Sequence, residues 1–430
     1  MQFHRSIMGL ALAGCWLTAC ENNDSPLAPD ASGDVNTAYE TTLWTAAQVQ
    51  SMQLAPETSV PVITELPRPK TMPGYWIWDT WPVLTRGNLP ARINGYYMIV
   101  SLTAPDSILP GKRHDIATYR YSISKDGKNW RDMGNLFDNG AAIGSRQWAG
   151  STIYDEGTRK LTVFYTATGE KGETRRSYTQ RMAMSSATLA SVTDTTVRFN
   201  QWAAHKIILT PDLKYYAQST GTDTKGIVFA FRDPSYFRDP LTGRSYITFT
   251  GRMHAAADQT YNGNAGLAIA KNDDLTEWEL MKPIIAAPDV NAELERPIMT
   301  VLDNRYYLVI STHLFTFKPP LKGPEGMYSW TATSMFGPWT PMNGSALMLH
   351  NPATNPDQTY SYQMLQDRSV LSFINFIGPG ESCGYYVGCA DASAADQATR
   401  FGGTLTKSVL MSIQGTTARV IGQRDDQITP

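Results

Sequence analysis

Only four of the 430 residues are cysteine and six are histidine, and the histidines show no metal-ligand spacing. A zinc or other transition-metal centre is therefore not expected. Acidic and basic residues nearly cancel, leaving a formal net charge of −2. A chain without a basic face or tail makes a poor nucleic-acid partner. The sequence has no phosphate-binding loop and no dinucleotide fingerprint, so no cofactor is expected. Long apolar runs are also missing: the longest, Ile7 to Ala19, is too short to span a membrane as a stable helix. No stretch after it sustains helical periodicity.

What remains is strand and turn material, with 21 Tyr, 11 Trp, 33 Gly and 26 Pro. One pattern recurs five times, a turn followed by a short aromatic and β-branched run. Asn94-Gly95 precedes Tyr96 to Val100, Glu156-Gly157-Thr158 precedes Leu161 to Tyr165, and Thr242-Gly243 precedes Tyr246 to Phe249. Asp303-Asn304 precedes Tyr306 to Ile310, and Gln366-Asp367 precedes Val370 to Phe373. Each reads as a hairpin. Several are followed by a small-residue strand and then a tryptophan, namely Trp130, Trp278 and Trp339. Five units at spacings of about 60 to 85 residues suit an all-β, five-bladed β-propeller with a central funnel. A β-sandwich with long insertions is the alternative architecture.

The N-terminus reads as a targeting segment, with Arg5 ahead of the apolar run. Leu17-Thr18-Ala19-Cys20, followed by polar residues, resembles a bacterial lipoprotein signal with Cys20 as the lipidated residue. Leu12-Ala13-Gly14-Cys15 also fits but leaves a shorter apolar core and runs into Trp16. Export to the periplasm, cell surface or medium is expected either way. Residues 21–38, Pro/Ser/Asp-rich, read as a flexible tether, and 39–430 as one catalytic propeller. In an exported chain Cys383 and Cys389 could close a local disulfide. Gly380-Glu381-Ser382-Cys383-Gly384 matches the nucleophile-elbow pattern but lacks its strand–turn–helix context.

Three stretches set acidic residues among aromatics and arginines. In Trp78-Asp79-Thr80-Trp81-Pro82 a carboxylate sits among tryptophans, whose faces stack on sugar C–H groups. In Phe231-Arg232-Asp233-Pro234 the arginine can hold its neighbour ionised and oriented. Phe237-Arg238-Asp239-Pro240 repeats that tetrapeptide but runs into Leu241-Thr242-Gly243, so chemistry is assigned to the first copy and a hairpin turn to the second. In Glu293-Leu294-Glu295-Arg296-Pro297 two carboxylates would share one face of a strand, and their repulsion would raise one pKa as a general acid requires. A retaining glycosidase needs a carboxylate nucleophile and a carboxylic acid about 5 Å apart, which suits Asp79 and Glu295, with Asp233 left to bind hydroxyls.

Taken together, in this order and with Trp148-Ala149-Gly150-Ser151, Gly337 to Ser345 and Phe401-Gly402-Gly403-Thr404-Leu405, these stretches resemble glycoside hydrolase family 68. The likeness runs from about Tyr39 to Gln423 and implies a five-bladed propeller acting on sucrose. It implies Asp79 as nucleophile, Asp233 as transition-state stabiliser and Glu295 as general acid and base. Trp78, Trp148 and Arg232 would line the fructosyl subsite. Glu293, Arg296 and Tyr360 would meet the glucosyl part or the acceptor, and His313 falls where members carry a substrate-contacting Arg or His. Two departures stand out. Ala149 replaces a serine that hydrogen-bonds near the nucleophile, a loss of about 1–3 kcal/mol. Ala292 replaces the aspartate of calcium-binding members, so no metal is expected. The leading reading is a levansucrase-like fructosyltransferase with sucrose and fructan or other sugar acceptors as partners. A hydrolytic β-fructofuranosidase is second, and a catalytically weak, surface-anchored fructan-binding protein third. Nothing demands a protein partner, so a monomer is expected.

Overall fold

The five anticipated hairpins are the joints of a ring. The computed structural model describes residues 39–138, 140–219, 221, 227–378 and 394–429. Cys20, the 21–38 tether, the Cys383–Cys389 pair and the Gly380–Gly384 motif lie outside the described residues. Five strands, one per blade, form the inner wall: β1 (Tyr75–Leu84), β2 (Arg146–Asp155), β3 (Arg232–Arg238), β4 (Glu295–Leu302) and β5 (Thr359–Met364). Each is joined by one of the five turns to an antiparallel second strand, Tyr97–Pro105, Lys160–Thr168, Ser245–Arg252, Arg305–Thr312 and Ser369–Phe376 in turn. Third and outer strands continue each blade, giving a five-bladed β-propeller. Blades one and two are hydrogen-bonded into one sheet where Val83 and Leu84 pair in parallel with Thr152 and Ile153.

The anticipated tryptophans open or precede outer strands: Trp130 before Arg131–Asn135, Trp278 at the start of Trp278–Ala286, and Trp339 before Thr340–Pro341. The second Phe-Arg-Asp-Pro copy ends β3 and turns. The Asp239 carboxylate accepts from Leu241 N (3.1 Å), Thr242 Oγ1 (2.6 Å) and the Tyr306 hydroxyl (2.6 Å), which pins the turn to blade four. It is a structural carboxylate.

Aromatic and aliphatic side chains fill the gaps between blades, because each twisted sheet offers two faces that must both be covered. The first described segment contributes to this packing. Thr42–Leu43 pairs in parallel with the outer strand of blade three, and Trp44, 1% exposed, inserts against Phe317, Tyr328 and Trp330. Its Nε1 donates to Ser345 O at 3.2 Å. Among the described residues the ring closes between blades five and one without a shared strand. Thr71 N donates to Thr404 Oγ1 (2.9 Å), Leu405 N to Thr71 Oγ1 (3.2 Å), and Gln427 N to Gly127 O (2.8 Å). Gly403, at φ +54°, lies so close to Trp76 that a Cβ there would stand 2.6 Å from the ring, so this motif requires glycine.

Trp44→Ala should destabilise the protein by about 3–5 kcal/mol through cavity formation, read as a lower urea midpoint at unchanged m-value.

Candidate active site

Every inner strand breaks register near the same depth. The shifts fall between Ile77 and Thr80, Trp148 and Gly150, Arg232 and Ser235, Glu295 and Ile298, and Tyr360 and Gln363. A bulge bends the strand and re-aims its side chains. At three of them a non-glycine residue has left-handed backbone: Asp233 (φ 62°), Arg296 (φ 48°) and Ser361 (φ 61°). Such residues cost on the order of 1–3 kcal/mol each and cluster at working sites. Side-chain hydroxyls of the preceding blade hold them. Asp233 N donates to Thr166 Oγ1 (2.8 Å), Arg296 N to Thr250 Oγ1 (2.9 Å) and Tyr362 N to Ser311 Oγ (3.0 Å).

The bulges converge on a cavity that opens to solvent. All ten anticipated site residues line it: Asp79, Asp233 and Glu295 with Trp78, Trp148, Arg232, Glu293, Arg296, His313 and Tyr360. Arg232 is the hub. Its Nη2 pairs with Glu295 Oε1 and, at 3.3 Å, with Glu293 Oε1, while its Nε lies 3.5 Å from Asp233 Oδ2. Thr250 Oγ1 donates to Asp233 Oδ2 at 2.8 Å and the Tyr360 hydroxyl to Glu295 Oε2 at 2.5 Å. Arg296 Nη1 donates to Ser361 Oγ. Two buried donors, Trp78 Nε1 and Arg232 Nη1, have no protein partner among the described residues, and ligand hydroxyls are their natural acceptors.

Burial and crowding set the protonation of this cluster. Asp233 is pushed up to about 7 by burial, with Glu295 and Asp79 adding to the rise and Arg232 opposing it. Burial also raises Asp79, against the pull of Arg296 and a Ser361 hydrogen bond. Glu293 is raised by burial and by Glu295. Glu295 moves the other way: burial would raise it, but Arg232, His313 and the Tyr360 hydroxyl hold it below the usual carboxylate range. This corrects two expectations. Glu293 precedes β4 instead of sharing its face, and the two glutamates meet through Arg232 and not through strand alternation. The member of the pair with the raised pKa is Glu293, not Glu295.

Sequence reasoning missed several contributors. Arg113 and His114 enter from the short 3-10 helix Pro110–Asp115 before Thr118–Ser124, and Phe315 and Asn375 also line the cavity. Arg113 lies 4.6 Å from the Phe401 ring centre and 5.5 Å from that of Trp78, and it favours ionised Asp79. The adjacent charges of Lys112-Arg113-His114, in a chain that is otherwise sparing of histidine, were the available signal. Ala149 is buried, its carbonyl accepting from Thr166 Oγ1 (2.8 Å). The hydroxyl that reaches Asp79 is that of Ser361. Near the rim, Lys318 Nζ bridges Asp258 (2.9 Å) and Asp289 (2.5 Å) close to Ala292. Among the described residues no group of His, Cys, Asp and Glu is arranged to hold a metal.

A family model described as Levansucrase/Invertase matches residues 34–262 and 252–421. The chain belongs to glycoside hydrolase family 68. A levansucrase of Rahnella aquatilis is 30% identical over 397 residues, covering 83% of this chain and 92% of that protein. A levansucrase of Pseudomonas savastanoi pv. glycinea is 29% identical over 408 residues, covering 86% and 90%. Two solved structures superpose over 91% of this chain. An inulosucrase from Halalkalicoccus jeotgali bound to kestose does so with a TM-score of 0.85 at 37% identity, over 98% of its own chain. A β-fructofuranosidase from Microbacterium saccharophilum K-1 follows at 0.77 and 25%, over 86% of its chain.

The raised Asp233 carboxyl makes this family 68 site a pH-dependent liability to folding. Folded Asp233 keeps its proton up to about pH 7, whereas an unfolded aspartate loses it near pH 4. Raising the pH through that window therefore removes stability. Asp233→Asn should show a smaller fall in urea midpoint between pH 5 and 8 than the parent, with the difference largest at pH 8.

Proposed function

We propose that this chain is a retaining fructosyltransferase that cleaves sucrose and passes the fructosyl unit to fructan, to sugar acceptors or to water. One observation carries the reading. Carboxylates, donors and stacking rings from all five blades face one cavity, in a chain whose family includes levansucrases and an inulosucrase.

Retaining chemistry needs Asp79 ionised and Glu295 protonated, the reverse of what burial and the neighbouring cations favour without substrate, so a proton must pass from the raised carboxyls to Glu295 as sucrose binds. The Asp79 carboxylate attacks the anomeric carbon of the fructosyl unit while the bond to the glucosyl oxygen breaks, and Glu295 gives that oxygen its proton. Glucose leaves and fructose stays as an ester of Asp79. Glu295, now a carboxylate, takes the proton of an acceptor hydroxyl as that oxygen attacks the same carbon and frees Asp79. Positive charge builds on the sugar in the transition state of each step. Burial makes Asp79, Asp233 and Glu293 all resist ionisation. Carboxylates held apart by mutual repulsion gain most when a cation arises among them, so the cluster favours the oxocarbenium-like transition state over the neutral ground state. Trp78 and Trp148 offer apolar faces to the ring, and the unpartnered Arg232 Nη1 and Trp78 Nε1 offer donors to its hydroxyls.

Hydrolysis is the second reading, supported by the β-fructofuranosidase likeness. Free glucose and free fructose released from sucrose separate the two. Glucose in excess of fructose means transfer, and equal amounts mean hydrolysis. Asp79→Ala should lower glucose release by at least about 10⁴-fold. Unchanged release would remove Asp79 from its role, and no release by the parent protein would sink the reading as a whole.

Export as a lipoprotein is part of the same proposal and rests on the leader sequence around Cys20. Expressed at full length, the chain should carry lipid that mass spectrometry detects on Cys20, and Cys20→Ser should yield protein without it.

A further inference from the structure

Glu325 lies outside the cavity wall and has no role in the chemistry above, yet its carboxylate is buried, with a side-chain exposure of 2%. It ends the loop before the strand Gly326–Ala332, and its Oε1 lies 2.6 Å from His313 Nδ1. Its Oε2 has no protein hydrogen-bond partner among the described residues. The imidazole it grips stacks on two rings, Tyr360 at 3.8 Å and Phe315 at 4.9 Å between centroids, with interplanar angles of 13° and 17°. With Nδ1 anchored and the plane fixed, His313 Nε2 points at Glu295, 3.6 Å from Oε2. The series Glu325, His313, Glu295 thus runs from a buried carboxylate to the residue read as acid and base.

We propose that Glu325 is a positioning residue that converts His313 into a fixed cation beside Glu295, so that the charge facing the acid–base carboxylate does not change across the working pH range. The inference rests on the fructosyltransfer reading for what Glu295 does. An imidazole whose two nitrogens face two carboxylates is favoured in its doubly protonated form. The groups facing it agree with this. Glu325, Glu295 and Glu293 favour the charge, Tyr360 and Phe315 supply stacked rings, and the cations Arg232 and Arg113 with His114 stand across the cavity. Burial works against the charge, but the three glutamates outweigh it and push His313 up to about 9. His114, by contrast, is held neutral by burial and by the neighbouring arginines. The two cavity histidines therefore differ in charge, because the glutamates dominate around His313 and burial and the arginines dominate around His114.

The test combines imidazole ¹⁵N NMR titration of the leader-free protein with the pH profile of glucose release from sucrose. In the parent protein His313 should titrate near pH 9. In Glu325→Gln it should titrate about one pH unit lower or more, and the alkaline limb of kcat/KM should move down with it. His313→Arg in the Glu325→Gln background should move that limb back up, because a guanidinium needs no partner to stay charged. A uniform fall in rate with an unmoved limb and an unmoved His313 resonance would overturn the proposal and leave Glu325 a packing residue. Should Glu325→Gln fail to fold, Glu325→Asp serves, since a shorter carboxylate loosens the pairing and must lower the His313 titration. If the parent protein releases no glucose, the fructosyltransfer reading fails while the NMR shift still decides the ion couple.

Discussion

The architecture depends on a small hydrogen bond made three times around the ring: a hydroxyl on the second strand of one blade accepts the bulge amide of the next blade's inner strand. Thr166, Thr250 and Ser311 make these links to blades three, four and five. Each does two things at once. It satisfies a backbone N–H that the bulge has taken out of the sheet ladder, and it fixes the angle between neighbouring blades. A buried orphan amide costs about 1–3 kcal/mol, comparable to the strain of the left-handed residues at the bulges. Packing between blades supplies most of the stability, but these contacts determine which side chains the bulges deliver to the funnel.

Thr250 shows how closely backbone and chemistry are linked. Its Oγ1 accepts from Arg296 N while donating to the Asp233 carboxylate. One hydroxyl therefore orients an acid on blade three and the strand that carries Glu295 on blade four. Arg232 extends the link by touching Asp233, Glu293 and Glu295. Four carboxylates gathered in one cavity would repel one another, and Arg232, Arg296, Arg113 and charged His313 offset the repulsion only in part. The raised Asp79, Asp233 and Glu293 are the measure of what is left over.

Much of this was legible in the sequence, for identifiable reasons. The blade count could be read because each inner hairpin carries a turn signal at a fixed place in the repeat. The two Phe-Arg-Asp-Pro copies could be told apart because only Asp239 runs into a turn. All ten anticipated site residues reach the cavity because bulge motifs place acids, arginines and aromatics side by side. The direction of Glu295's shift was not legible, since it is set by Arg232, Tyr360 and His313, which come from other strands or loops. Alternation places Glu293 on a strand because nothing in the sequence marks Glu295 as the strand's first residue. Arg113 and His114 sit in a single short 3-10 helix and Glu325 in a loop, none of them with periodicity, and only the folded ring shows what they face.

The hydroxyl links also define how the ring can be recombined. Each pairs the second strand of one blade with the inner strand of the next, so the repeating unit of function is offset from the repeating unit of shape. A chimera that exchanged blade three whole, from Arg232 to Ala286, would part Thr166 from Asp233 and Thr250 from Arg296. One cut within hairpins, from Ser245 through Leu302, would keep Thr250 with the strand it holds. Shuffled relatives of this chain should therefore be joined in mid-blade, at the turns, and not at the linkers where a fold diagram would place the boundary.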